Sequence, residues 1–258
     1  PARARYRHPP VMELVDIGVN LTNKSLLRDL EAIMQRADEA GVRQMVVTGT
    51  SVEESRQAIE LCQRYPGRLV STCGIHPHHA SEWNADSPGA LESMAQQECV
   101  RAIGETGLDY YYHKGDSQWQ QQRFREHIQV AREFNKPVIV HTRDAGEDTL
   151  NILQQENAES CGGVIHCFTE TQDFADRALE LGFMISFSGI ITFHNADALR
   201  EVARQVPDRN LLIETDSPYL APVPNRGKPN EPAYVVYVAE KIAELRNLNV
   251  DEVAEITT

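Results

Sequence analysis

Short apolar runs alternate with amphipathic segments along the whole chain, and most of the runs end on a polar residue. Eight runs read as strands buried on both faces: 13–21, 44–50, 69–75, 100–108, 138–141, 163–168, 183–189 and 211–215. Helical patterns lie between them. Over 26–40, Leu26, Leu30, Ile33, Met34 and Ala37 share one face, and Gly41 stands where a left-handed residue closes a helix. Over 117–135, Phe124, Ile128 and Ala131 form the apolar face and His127 packs among them. Ser117, with Gln120 three residues on, predicts a capping box at the start of that helix. Pro137 opens the next strand, where its missing N–H matters least. Eight strand–helix repeats in 258 residues predict an α/β fold, a single-domain (β/α)8 TIM barrel, for which roughly 250 residues is typical. A doubly wound open sheet is the rival, but "DIGVNLT" at the first strand is not a glycine-rich phosphate fingerprint. No linker or low-complexity tract divides the chain. Residues 1–11 read as a flexible N-terminal extension and 12–258 as the barrel domain.

The polar residues fall where such a barrel would use them. In "VIVHTRDA" the run Val138-Ile139-Val140 stops on His141, with Arg143 and Asp144 just behind. "RAIGETGLD" carries Glu105, "GGVIHCFT" carries His166, and "NLLIETDSP" carries Glu214 and Asp216. "STCGIHPHH" offers His76, His78 and His79, of which His76 is best placed, directly after the strand and braced by Pro77. Glu105, His141, His166 and Asp216 are separated by about one, one and two βα repeats. In a parallel barrel all strands point the same way, so these side chains converge on one C-terminal rim. A lone strand-end histidine is usually a hydrogen-bonded structural residue, and His8, His113 and His194 have no supporting context. Four acidic or imidazole groups at four strand ends are different, because an unpaired buried charge costs several kcal/mol. Cys167, next to His166, is expected to face the opposite way as buried filler.

Charge and composition narrow the chemistry. Net charge is −13, so the chain has no general attraction for a polyanion, and a phosphate-bearing substrate must be met by local cations. Arg143 points to the mouth from the fifth strand; Arg226 and Lys228 lie in the loop "APVPNRGKPNEP" after the last strand, near where barrels often bind phosphate. The five cysteines are odd in number and contain no Cys-x-x-Cys pair, which favours reduced thiols and a cytoplasmic location. No apolar run approaches the roughly 20 residues that span a bilayer, so no membrane partner is expected. Glu105, His141, His166 and Asp216 make a mixed nitrogen–oxygen set suited to a divalent cation that polarises a carbonyl or phosphoryl oxygen. Asp216 is the candidate base. No nucleophile elbow and no Walker loop is present.

"DIGVNLT", "GIHPH", "IGETGLDY", "VIVHTRDA", "HCFT", "ETDSPYL" and "NEP", in this order over about residues 13–240, resemble the TatD family of metal-dependent deoxyribonucleases, within the amidohydrolase-like barrels. The resemblance implies metal-dependent phosphodiester hydrolysis on DNA, as a 3′→5′ exonuclease preferring single strands, with RNA as a further substrate and a monomeric chain. It implies Glu105, His141 and His166 as metal ligands and Asp216 as the catalytic or metal-binding aspartate; His76 is a further catalytic candidate by its place, and Arg143, His78, Arg226 and Lys228 are the candidate contacts to substrate phosphate. Many relatives open with His-x-His on the first strand; here Gly18 and Asn20 stand there, in the form of the subgroup this chain resembles. Glycine offers no ligand and Asn20 a weak carbonyl oxygen. One well-held metal is therefore expected, a second binding loosely or with substrate and assisted by His76 and His78. Fewer imidazoles move the preference toward Mg²⁺, with Mn²⁺ or Zn²⁺ as alternatives. The chain ends at "AEITT", short of the final helix the resemblance leads one to expect. Two other readings are an amidohydrolase acting on C–N or ester bonds, disfavoured because His141 stands where a bridging Lys would, and a non-catalytic barrel scaffold.

Overall fold

The structure, a computed structural model, describes residues 12–112 and 117–258. The N-terminal extension, His8 and His113 lie outside them. Eight parallel strands follow one another around a barrel in chain order: β1 (Leu14–Val19), β2 (Val42–Val47), β3 (Leu69–Cys73), β4 (Val100–Asp109), β5 (Val138–Arg143), β6 (Gly163–Ile165), β7 (Met184–Phe187) and β8 (Leu211–Ile213). All eight expected runs form strands. The helical patterns fold as α1 (Lys24–Leu27), α2 (Leu30–Glu39), α3 (Val52–Arg64), α4 (Ser87–Ala95), α5 (Gln118–Glu133), α6 (Gly146–Gln155), α7 (Gln172–Glu180), α8 (Asp197–Gln205), α9 (Val235–Arg246) and α10 (Val250–Thr257). The pattern expected over 26–40 is thus broken in two ahead of Leu30, and Gly41, at φ +86, ends the longer piece in the left-handed conformation glycine allows. The capping box expected at Ser117 does not form: Ser117 makes no side-chain cap, and Gln120 turns inward to hold β4 instead.

Alternation on each strand divides the barrel into an outer and an inner face. Outward residues such as Val42, Val138, Val140, Ile165 and Ile185 join the helices in one continuous core. Inside, Ala102, Ile139 and Val164 pack with Ile17, Met184 and Leu212, one residue from each of six strands. That layer plugs the barrel. Two residues further along the same face, Ile139 gives way to His141, Val164 to His166, and Leu212 to Glu214 and then Asp216. A buried strand stops on an imidazole because it has passed the plug and reached the rim.

Two strands need a correction of register to join in. From Ile103 to Thr106, β4 takes an extra residue relative to Val138–Val140 of β5, and β1 does the same between Asp16 and Val19 against Met45–Val47. Such bulges re-aim the side chains beyond them. They bring Glu105 and Asn20, each three residues past a plug residue, into the same mouth.

The seam between β1 and β8 is closed largely by a side chain. Asp216 N–H donates to Gly18 O at 2.8 Å and Asn20 N–H to Ser217 O at 2.9 Å, around a single bridge between Val19 and Ser217. Below them the fully buried Asp16 carboxylate accepts from Thr215 N at 2.9 Å, from Gly18 N at 3.2 Å and from the Thr215 hydroxyl. Asp16→Ala strands these donors without water, and we expect a loss of about 2–4 kcal/mol in urea unfolding. A variant as stable as the parent would show that the seam does not depend on this carboxylate.

Candidate metal centre

A cavity of about 780 Å³ opens at the C-terminal ends of the strands, and the loops after all eight contribute to its wall. At its floor lies Glu105, 4% exposed. Three imidazoles meet its Oε1: His166 Nε2 at 2.7 Å, His141 Nδ1 at 3.2 Å and His76 Nε2 at 3.3 Å. The other nitrogens of two of these rings face further buried carboxylates. His166 Nδ1 lies 2.7 Å from Glu214 Oε1, and His141 Nε2 lies 2.9 Å from Asp109 Oδ2. A neutral imidazole has one bare nitrogen, which repels a carboxylate oxygen. Each ring therefore shares an extra proton with a facing carboxyl group or shares a cation with Glu105. The field shows the same demand for positive charge. Burial would depress His166, but Glu105 and Glu214 on either side push it well above the usual range. His141 is also raised, Asp109 and Glu105 outweighing its burial. Glu105 is held well below the usual carboxylate range despite its burial, by His166 and His76.

A divalent cation answers that demand by replacing the imidazole protons. The carboxylates on the outer nitrogens then fix each ring's orientation, as outer partners of metal-bound histidines do. Two groups of ligand atoms are close enough to hold an ion: His76, Glu105 and His141, and His166, Glu214 and Asp216. The four residues expected as ligands from the sequence thus share one cavity but divide between two adjoining clusters.

His76 differs from the other two rings. Its Nδ1 accepts the His78 N–H at 3.0 Å, so in the neutral form its Nε2 carries the hydrogen and points it at Glu105. Burial pushes its pKa down, with Glu105 opposing. His127 supports this loop from α5, its Nδ1 donating to Arg123 O at 2.7 Å and its Nε2 accepting the N–H of Ile75 at 2.9 Å. The packed histidine of the sequence pattern therefore also anchors the residue before His76.

Asp216 adopts φ +54 beyond β8, and its Oδ1 accepts from Asn20 Nδ2 at 3.1 Å. The same Asn20 nitrogen donates to Ser217 O at 3.1 Å. Asn20 is thus engaged here as a donor that holds Asp216. Burial pushes Asp216 up to about 7, opposed by His166 and reinforced by Glu105 and Glu214. Asn230, buried under the loop after β8, ties it down by donating to Thr215 O at 2.9 Å and Tyr219 O at 2.7 Å.

Gly18 has a reason of its own. A Cβ there would stand 2.8 Å from Glu214 Oε1, so the bare α-carbon leaves room for the carboxylate that orients His166. Asp109 was legible in principle, four residues past Glu105 on the same face. It binds His78 Nε2 and His141 Nε2, both at 2.9 Å, and is held below the usual range by both against its burial. Its own backbone is clamped by Gln120, at 2.9 and 3.0 Å. Cys167 corrects the alternation argument: β6 ends at Ile165, the chain turns to φ +46 at Cys167, and that residue lines the cavity. The phosphate candidates divide. Arg143 and His78 line the cavity. Arg226 stacks on Phe193 at 3.7 Å and Lys228 is exposed, and neither reaches the cavity wall. All five cysteines are unpaired.

Buried acids that demand a cation, at the mouth of a parallel barrel, place this protein among the metal-dependent hydrolases built on that fold. The chain belongs to one family of them, described as TatD related DNase, which matches residues 15–258. It is 47% identical over 253 residues to the uncharacterized metal-dependent hydrolase YcfH of Escherichia coli K12, covering 96% of this chain and 93% of that one. It is 38% identical over 246 residues to the 3′-5′ ssDNA/RNA exonuclease TatD of Pantoea ananatis, covering 93% and 95%. The crystal structure of YJJV, a TatD homolog from E. coli K12, superposes with a TM-score of 0.88 at 29% identity over 95% of both chains.

Two measurements test this site. In Gly18→Ala the new methyl displaces Glu214 from His166, so Mn²⁺ affinity by calorimetry should fall about 10–100-fold. Unchanged affinity would refute the supporting role of Glu214. His127, pushed by burial from 6.5 down to about 4, favours folding above about pH 6.5. As the pH falls from 6.5 to 4 the unfolded chain gains a proton that the folded one refuses, and on the order of 3 kcal/mol is lost. His127→Gln should flatten that part of the stability–pH curve measured in urea.

Proposed function

We propose that this hydrolase is a divalent-metal-dependent exonuclease that releases nucleotides from the 3′ end of single-stranded DNA, and from RNA as a second substrate. The observation that carries the proposal is the facing of both nitrogens of His141 and His166 toward carboxylates, which fits a cation seat. The choice of bond and the direction of digestion rest on the relatives named 3′-5′ ssDNA/RNA exonucleases. Glu105 and His141 in one cluster, and His166 and Asp216 in the adjoining one, would hold the metal, Mg²⁺ in the first instance and Mn²⁺ or Zn²⁺ as alternatives. When bound, such a cation supplies Lewis-acid stabilisation of a phosphoryl oxygen and lowers the pKa of water.

The remaining steps belong to the chain. Asp216, oriented by Asn20, accepts the proton of the attacking water. The His76 Nε2–H, with its tautomer set by the His78 amide, rests on Glu105 and would turn to the 3′ oxygen that leaves, protonated, as the P–O3′ bond breaks. His78, fixed by Asp109, and Arg143 stand further out, where the next phosphate of a strand would pass. Among the described residues no helix is long and apolar enough to cross a membrane.

A labelled single strand incubated with Mg²⁺ or Mn²⁺ should shorten from its 3′ end, and EDTA should stop the reaction. Glu105→Ala and His166→Ala should each lose at least about a hundredfold in rate while keeping the far-ultraviolet circular dichroism of the barrel. Digestion that persists in EDTA, or none with any divalent metal, would overturn the reading.

A further inference from the structure

The mouth of the cavity displays aromatic rings that packing does not require. Among the described residues the exposed large apolar or aromatic side chains are Leu27, Tyr111, Tyr112, Tyr219 and Val223. Tyr112, 66% exposed, and Tyr219, 56% exposed, both line the cavity. Tyr112 follows β4 and Tyr219 follows β8. In an eight-stranded barrel running in chain order these strands lie opposite one another, so the two rings stand on opposite sides of the mouth. Both are held in place. Tyr112 meets the His78 ring edge-on at 5.1 Å, and the Tyr219 hydroxyl accepts from Asn23 Nδ2 at 3.3 Å. Between β4 and β5 the Arg143 guanidinium lies 3.8 Å from the centre of the Tyr111 ring and 5.3 Å from that of Tyr112.

Charge alone gives this mouth little hold on a polyanion. Arg143 is the only Lys or Arg on the cavity wall among the described residues, and Glu54, Glu105 and Asp216 share that wall. The whole chain carries −13. Stacking is available instead, since every nucleobase has a π-face that an exposed tyrosine can cover. A base inside a duplex already has its faces covered by its neighbours, and only an unpaired end can offer them freely.

Building on the nuclease reading above, we infer that Tyr112 and Tyr219 form a two-sided stacking clamp for the unpaired bases at a strand's end. Arg143, backed by Tyr111, meets one phosphate beside them. The clamp selects frayed or single-stranded ends over paired ones.

The test compares an ordinary single strand with one whose last two 3′ nucleotides lack bases. Binding is followed by fluorescence anisotropy in EDTA, and turnover in Mg²⁺ or Mn²⁺. Tyr112→Ala and Tyr219→Ala should each weaken binding of the ordinary strand about tenfold, the size of one stacked base, with the loss falling on KM rather than kcat. Tyr112→Phe keeps the ring and should recover most of the affinity. The base-free end should bind the parent protein as weakly as the ordinary strand binds the Ala variants, and the substitutions should add little to that. With one phosphate contact, log K should fall with log salt at a slope near about −0.7. Digestion with equal affinity for base-bearing and base-free ends overturns the clamp and leaves the nuclease reading intact. Base-dependent binding without digestion under any metal overturns the nuclease reading and leaves the clamp. A protein that binds neither strand and digests neither with any divalent metal overturns both.

Discussion

A single carboxylate oxygen, Glu105 Oε1, is approached by three imidazole nitrogens in a place from which water is largely excluded, and the rest of the site follows from that fact. A buried carboxylate is tolerated only with compensating charge and hydrogen bonds. Here compensation comes in layers. Imidazoles surround Glu105, and Asp109 and Glu214 stand behind two of them. The outer layer adds negative charge rather than cancelling it, so the assembly as a whole still lacks a positive partner. An arginine or lysine would have neutralised it and left a closed ion-pair network. None contacts it among the described residues, and the imbalance is kept in reserve for a cation.

The precision of that seat comes from side chains that are not counted among its ligands. Gln120 grips both backbone groups of Asp109, His127 takes the N–H of Ile75, Asn230 holds the loop after β8 and Asn20 holds Asp216. Each is a polar side chain that turns an otherwise soft strand end into a fixed one. Backbone groups at strand ends lack ladder partners, and buried ones must find them elsewhere. Satisfying those groups with side chains from helices and loops also aims the ligands, so folding and positioning are achieved by the same bonds.

The eight strands were readable from the sequence because both-face burial produces continuous apolar runs, and a candidate site was readable because several such runs end together on acidic or imidazole side chains. What the sequence hid was register. Nothing in "RAIGETGLD" marks the extra residue that turns Glu105 inward, and nothing in "DIGVN" marks the one that admits Asn20. Gly18 looked like a lost ligand because its use lies in space, against a glutamate almost two hundred residues away. Cys167 was misplaced by extending strand alternation past the end of β6. Arg226 was grouped with the phosphate contacts by its loop alone, and its guanidinium lies over the Phe193 ring, away from the cavity wall.

The departure at the first strand and the acidity of the chain fit together. A first-strand histidine would bring another neutral ligand; Gly18 instead makes room for the Glu214 carboxylate beside His166, which adds negative charge to the centre. A more anionic centre repels a phosphate chain more strongly until the cation is in place. Repulsion of that kind falls off within a Debye length of about 8 Å at physiological salt, whereas contact with an exposed ring does not depend on charge at all. On the proposed nuclease reading, a negatively charged enzyme would admit a phosphodiester one end at a time, with the cation and Arg143 meeting the phosphates nearest the floor.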